Sequence, residues 1–153
     1  MLLLSPVAFF FVFIIFLSLI TPVFKYYNLL NFYEIFNFLN SKICHQHSPR
    51  SLFFFESNIG LCARCFAFYV TVLLYILVLF FIDIKIQNLL KIYIFFLFVS
   101  PLVIDGITQL FQFRESTFLL RTITGAMAGI GVSVILFPIY LDFFHSHKKR
   151  GGL

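Results

Sequence analysis

Three cysteines and two histidines stand together in ICHQHSPRSLFFFESNIGLCARC, Ile43 to Cys65. Cys44, His45, Cys62 and Cys65 supply three thiolates and an imidazole, the donor set of a tetrahedral zinc site. Two residues between Cys62 and Cys65 let one turn aim both sulfurs at a single ion. The 17-residue insert lets Cys44 and a histidine close on that ion from the other side. The same residues suit thiol redox chemistry: Arg64 and a following helix N-terminus favour thiolate, with Cys44 as the resolving thiol. A third reading makes the cysteines small buried hydrophobes. Metal accounts for more of the cluster, because His45 and His47 are surplus to dithiol chemistry. Zinc is therefore the expected cofactor.

A second constellation runs from Asp105 to Gly131, DGITQLFQFRESTFLLRTITGAMAGIG. Asp105 and Gln109 are four apart and share a helix face, Arg114 and Glu115 fall in the following loop, and Arg121 opens the next apolar segment. Charges at such positions are costly and face a partner or a wet cavity, so these five residues are candidates for catalysis or substrate binding. A structural ion pair between Asp105 and Arg121 is the alternative. Gly125, Gly129 and Ser133 continue at steps of four as a small-residue stripe that permits close helix approach.

The elements that must carry these residues are membrane helices. Of 153 residues, 61% are hydrophobic and 11% charged, against about 25% charged in soluble domains. Four segments suit roughly 20-residue apolar spans: 6–24, 66–82, 89–104 and 118–141. The first lacks a basic start and a cleavage site, so a retained helix is expected rather than a signal peptide. Between the first two spans, Asn28, Asn31, Glu34 and Asn37 recur every three residues in an apolar background. That pattern predicts a helix lying in the interface and carrying Cys44, with plain packing as the alternative. The expected fold class is all-α: a single integral membrane domain over 1–153, with four transmembrane helices and an interfacial helix in the first loop.

With four crossings, the cysteine loop and the loop after Asp105 emerge on one face, and both termini emerge on the other. The cationic tail Lys148, Lys149 and Arg150 points that second face to the cytoplasm. A net charge of +5 beside helix ends implies anionic lipid headgroups as partners rather than nucleic acid. The 25 phenylalanines need no role beyond lipid-facing surface.

The residues Cys44-His45-Gln46, Arg50-Ser51, Leu61 to Cys65 with Tyr69, Asp105 to Gln109, Arg114 to Ser116, Arg121, Thr124-Gly125 and Gly129 resemble domain-of-unknown-function family 2085. These are multi-pass membrane proteins of bacteria and archaea. The resemblance implies a prokaryotic cytoplasmic membrane location, makes His45 rather than His47 the shared histidine, and adds Gln46, Arg50, Arg64, Gly125 and Gly129 as supporting residues. Phe66-Ala67 and Phe118 depart from the family pattern. A fainter likeness to the VanZ-like family covers Asp105 to Gly131 and suggests a lipid-linked or amphiphilic substrate. The expected function is a zinc-thiolate loop over a polar pocket, in an enzyme acting on such a substrate. The alternatives are an ion or small-anion transporter, working as a homo-oligomer, and a membrane thiol oxidoreductase.

Overall fold

In the computed structural model the described residues are 5–44, 51–54, 57–82, 87–111 and 116–150. They form α1 (Ser5–Tyr26), α2 (Leu30–Ser41), β1 (Ser51–Phe54), β2 (Ser57–Cys62), α3 (Ala63–Phe81), α4 (Asn88–Leu110) and α5 (Phe118–Arg150). The architecture is helical. Among the described residues, three stretches are long and apolar enough to cross a membrane: Pro6–Tyr26, Asn88–Leu110 and Phe118–Leu141. The 19 residues of α3 are equally apolar, and at 1.5 Å per residue they reach about 28 Å, just short of a bilayer core.

α5 is the spine of the bundle and packs on both α3 and α4. Its small residues explain how. A Cβ at Gly125 would lie 2.3 Å from the Arg64 carbonyl oxygen, and one at Gly129 would lie 2.9 Å from that of Phe68. Gly125, Gly129 and the fully buried Ser133 thus draw α5 against the main chain of α3. Gly131, on another face, abuts Phe98 and Val99 of α4.

Val7 and Ala8 of α1 meet Val72 and Ile76 of α3 and Phe137 of α5 at one end of the bundle. At the other end, Ile14 meets Leu61 and Cys65. α1 and α3 are therefore antiparallel. The half of α1 beyond Ile14 is covered by α2 and β2 instead of by the bundle.

The helix expected in the first loop is α2, and it folds back along α1. Asn28 makes the reversal in a left-handed conformation, φ 56°, which asparagine tolerates better than most residues. Phe24 then meets Phe32 and Phe36, with ring centroids 5.6 and 5.0 Å apart. Further along, Asn40 reaches Thr21 and Leu17. Asn31 and Glu34 are exposed, and so are Phe32, Ile35, Phe38 and Leu39, so the outer surface of α2 mixes polar and apolar side chains.

Sequence periodicity alone gives no sign of the ribbon that follows. β1 and β2 pair antiparallel, Ser51 with Cys62, Phe53 with Asn58 and Phe54 with Ser57, with an irregularity between Ser51 and Phe53. Ile59 and Leu61 bury their side chains beneath it. The pairing turns the chain around and returns it to the bundle at the first residue of α3.

Candidate metal centre

Cys44 follows α2 almost directly. The Asn40 carbonyl accepts the N–H groups of Ile43 at 3.0 Å and Cys44 at 2.9 Å, so the helix end itself sets the position of this cysteine. The Asn40 side chain is fully buried. Its Nδ2 donates to Thr21 Oγ1 at 2.9 Å and, at 3.5 Å, approaches the Leu17 carbonyl. Thr21 Oγ1 donates to that same carbonyl at 2.7 Å, which leaves its lone pairs for Asn40 and fixes which way the amide points. Gly60 of β2 lies against the amide. A Cβ there would sit 2.2 Å from Asn40 Nδ2 and 2.6 Å from its Cγ, so a side chain at position 60 has no room.

The ribbon then brings the other two cysteines in. The Cys62 N–H donates to Cys44 Sγ at 3.3 Å. The Sγ atoms of Cys44, Cys62 and Cys65 all lie within 4.8 Å of one another. All three are free thiols, Cys44 buried and the other two half-buried. A tetrahedral zinc with bonds of about 2.3 Å holds its sulfurs about 3.8 Å apart, so small side-chain rotations close this triad on an ion. The Cys62 thiol is pushed up from its ordinary pKa, first by its hydrogen bond with the Cys44 side chain and then, after a smaller opposing bond from Cys65, by burial. Crowded thiols of this kind keep their protons unless a cation offsets the charge.

The residue between Cys62 and Cys65 that carries charge is Arg64, and it faces away from the thiols into the bundle. It forms an ion pair with Asp105 of α4. Asp105 is 3% exposed, and its Oδ2 also accepts from Gln109 Nε2 at 2.8 Å and Ser116 Oγ at 3.2 Å. Gln109 Nε2 additionally donates to the Asp105 carbonyl at 2.9 Å. These bonds let α4 run on to Leu110, six residues beyond the expected end of that span, because the carboxylate is solvated by the protein itself. Arg121 is 7% exposed and stands one helical turn before Gly125, on the side of α5 that abuts Arg64.

The two sequence constellations are therefore one assembly. Arg64 joins them: its main chain packs on Gly125 and its side chain pairs with Asp105. Of the expected site residues, Cys44, Cys62 and Cys65 come together, and Asp105 and Gln109 form the network beside them. His45, Gln46, Arg50, Arg114 and Glu115 lie outside the described residues. Sequence reasoning missed Asn40 and Gly60 as parts of the site. A signal for Asn40 was present, since it continues the three-residue series of Asn31, Glu34 and Asn37.

The model of predicted membrane proteins of family DUF2085 matches residues 44–135, which takes in every element of this assembly from Cys44 to Gly129. An uncharacterized protein of Methanocaldococcus jannaschii is 40% identical over 113 residues, 71% of this chain and 70% of the relative. An uncharacterized protein of Methanothermobacter thermautotrophicus is 38% identical over 93 residues, 61% of this chain and 83% of the relative. No solved structure matches the chain. With more than half of its length inside the family match and the cysteine ribbon, the Asp105 network and the α5 glycines all within it, the chain belongs to the DUF2085 family of predicted membrane proteins.

Proposed function

We propose that this is a four-span membrane protein holding one zinc ion on Cys44, Cys62 and Cys65. His45 completes the donor set, and the ion serves chemistry on a lipid-linked or small amphiphilic substrate. The observation that carries the reading is the convergence of three sulfurs from α2, β2 and α3 within 4.8 Å. Three sulfurs from separate turns of the chain, gathered at one point, describe a site that metal would lock. Zinc would supply Lewis acidity if a coordination position stays open, or hold α2 and the ribbon on the bundle if His45 closes it. Arg64, Asp105, Gln109 and Ser116 orient the Cys62–Cys65 turn. Arg121 stands at the same end of the bundle and, with Arg114 and Glu115, would face substrate. Both termini are assigned to the cytoplasm, with the metal centre toward the opposite side.

The test is elemental analysis of protein purified in detergent without chelator. The expected result is close to one zinc per chain, lost in Cys62→Ser. Absence of zinc from the unsubstituted protein would reject the metal centre. Impermeant labelling of cysteines placed at positions 48 and 147, in a background without the native thiols, tests the sidedness. Only position 48 should react in intact cells.

A second reading has its own support. Cys62 and Cys65 bracket the start of α3, and Cys44 Sγ accepts an N–H bond, which is also the arrangement of a thiol oxidoreductase with a resolving cysteine. A reversible disulfide found by alkylation and mass spectrometry, without zinc, would select it. An ion or small-anion conduit, as a homo-oligomer, is the third alternative. It draws no support from the cavity described next, whose lining is apolar.

A further inference from the structure

α1 and α5 both pack on α3, and the space between them is a cavity of about 410 Å³. Of its thirteen lining residues, ten carry no hydrogen-bonding side-chain group. Ser133, one of the other three, is fully buried and already donates to the Gly129 carbonyl at 2.7 Å. Water needs two to four polar partners to settle in such a space, and this lining does not supply them. Hydrocarbon does not need them, and the volume falls in the range of ligand-binding cavities.

The two ends of the cavity say which hydrocarbon. Phe10 and Leu136, 57% and 56% exposed, form part of its mouth, and both lie within stretches apolar enough to cross a membrane, four residues from the start of one and five from the end of the other. The mouth therefore opens sideways to lipid. At the inner end, Ile14, Ile43 and Tyr69 line the cavity and also pack against Cys44, Cys62 and Cys65. The thiols themselves are recessed. Ile14 lies twelve residues before the end of α1 and Gly125 seven after the start of α5, so the site sits about 10 to 18 Å along the helices from that end of the bundle.

We infer that the cavity holds a hydrocarbon chain of a membrane lipid, which enters laterally between α1 and α5 with one end beside the cysteine site. Occupancy follows from the cavity alone. Its use as the tail site of a substrate rests on the function proposed above. Small residues on α5 make the site: by pulling α5 onto α3, the Gly125, Gly129 and Ser133 face leaves α1 standing off and a chain-sized space between.

The experiment is native mass spectrometry of protein released from nanodiscs of a single phosphatidylcholine, read beside zinc content. The expected result is one lipid retained per chain, lost in Val132→Trp, which fills the cavity, with zinc unchanged. A control, Phe96→Trp on the exposed face of α4, should keep the lipid. In parallel, the unsubstituted protein in nanodiscs containing a lipid with a diazirine at its chain end should be labelled at the cavity-lining Phe11, Ile14 and Tyr69 more heavily than on the exposed face of α4. This arm stands even if Val132→Trp does not fold. Labelling spread evenly over the lipid-facing surface, or lipid retained equally by Val132→Trp, overturns the inference and leaves only annular lipid. Zinc without retained lipid removes the cavity proposal alone. Retained lipid without zinc removes the metal centre and leaves the cavity.

Discussion

Arg64 and Asp105, separated by 41 positions in the chain, form one ion pair between α3 and α4, and the arginine stands between two of the three clustered cysteines. The pair is thus a strut from the bundle to the thiol turn. Its energetics give the first test. Asp105→Leu alone leaves an uncompensated guanidinium and should cost about 3–5 kcal/mol, whereas Arg64→Leu with Asp105→Leu should recover most of that loss. The double variant should nevertheless bind zinc more weakly, because the turn loses its strut. Thermal stability in detergent and zinc retention against a graded chelator, measured on the same preparations, separate the two effects. Unchanged zinc retention in a folded double variant would deny Arg64 a positioning role.

Gly60 and Asn40 provide a second test. Gly60→Ala places a methyl where the Asn40 amide lies and should lower stability and release Cys44 from the triad. Asn40→Ala removes the obstructing amide at the expense of its bond to Thr21, about 1–3 kcal/mol. The two together should be less harmful than their sum, with Cys44 alkylation rates as the readout.

Two helix glycines of opposite surroundings make a third comparison. A Cβ at Gly125 would meet the Arg64 main chain at 2.3 Å, and backbone does not give way as a side-chain tip does. Gly125→Ala should therefore destabilise by at least the 1–3 kcal/mol usual for overpacking. Gly106 has nothing within 4 Å of such a Cβ, so Gly106→Ala should be neutral or stabilise by about 0.5–1 kcal/mol. Melting temperatures of the two variants in one detergent check the contrast.

The thiols predict opposite pH responses with and without metal. Cys62 in the folded, metal-free protein has its pKa raised above the ordinary cysteine value of about 8.5. Its contribution to stability is then fully present below that value and is lost as pH rises through the folded-state pKa. Metal-free protein should melt at a constant temperature up to about pH 8 and progressively lower above it. Zinc-loaded protein should instead gain stability from pH 6 to 8, since binding displaces thiol protons. Parallel curves for the two forms would contradict zinc binding through these thiols.

How much of this was readable in advance differs by residue. Hydrophobic runs place the four long helices to within a few residues, except the end of α5, which runs nine residues past 141 to Arg150, and the end of α4. In α4, hydropathy falls at Asp105, but Arg64, Gln109 and Ser116 satisfy the carboxylate and the helix continues. Spacing brings Cys62 and Cys65 together, and chemistry suggests Cys44 as their companion. Arg64 shows why pairing was harder: its partner is selected by how α5 seats α3 beside α4, a three-body arrangement without a linear pattern. The ribbon was hidden for a related reason. Its burial comes from lying under α1 and α2, and Ile59, Gly60 and Leu61 are all buried in succession rather than in alternation.

The strut between α3 and α4 also sets an order of events during synthesis. Arg64 leaves the ribosome 41 residues ahead of its carboxylate. At about 5–20 residues per second, it waits some 2 to 8 s before Asp105 exists. In the four-span reading proposed above, α3 then begins with an uncompensated cation, which would resist moving inward from the membrane surface. The thiols on either side of Arg64 are held back with it. On that reading, assembly of the cysteine triad should await the arrival of the second helical pair.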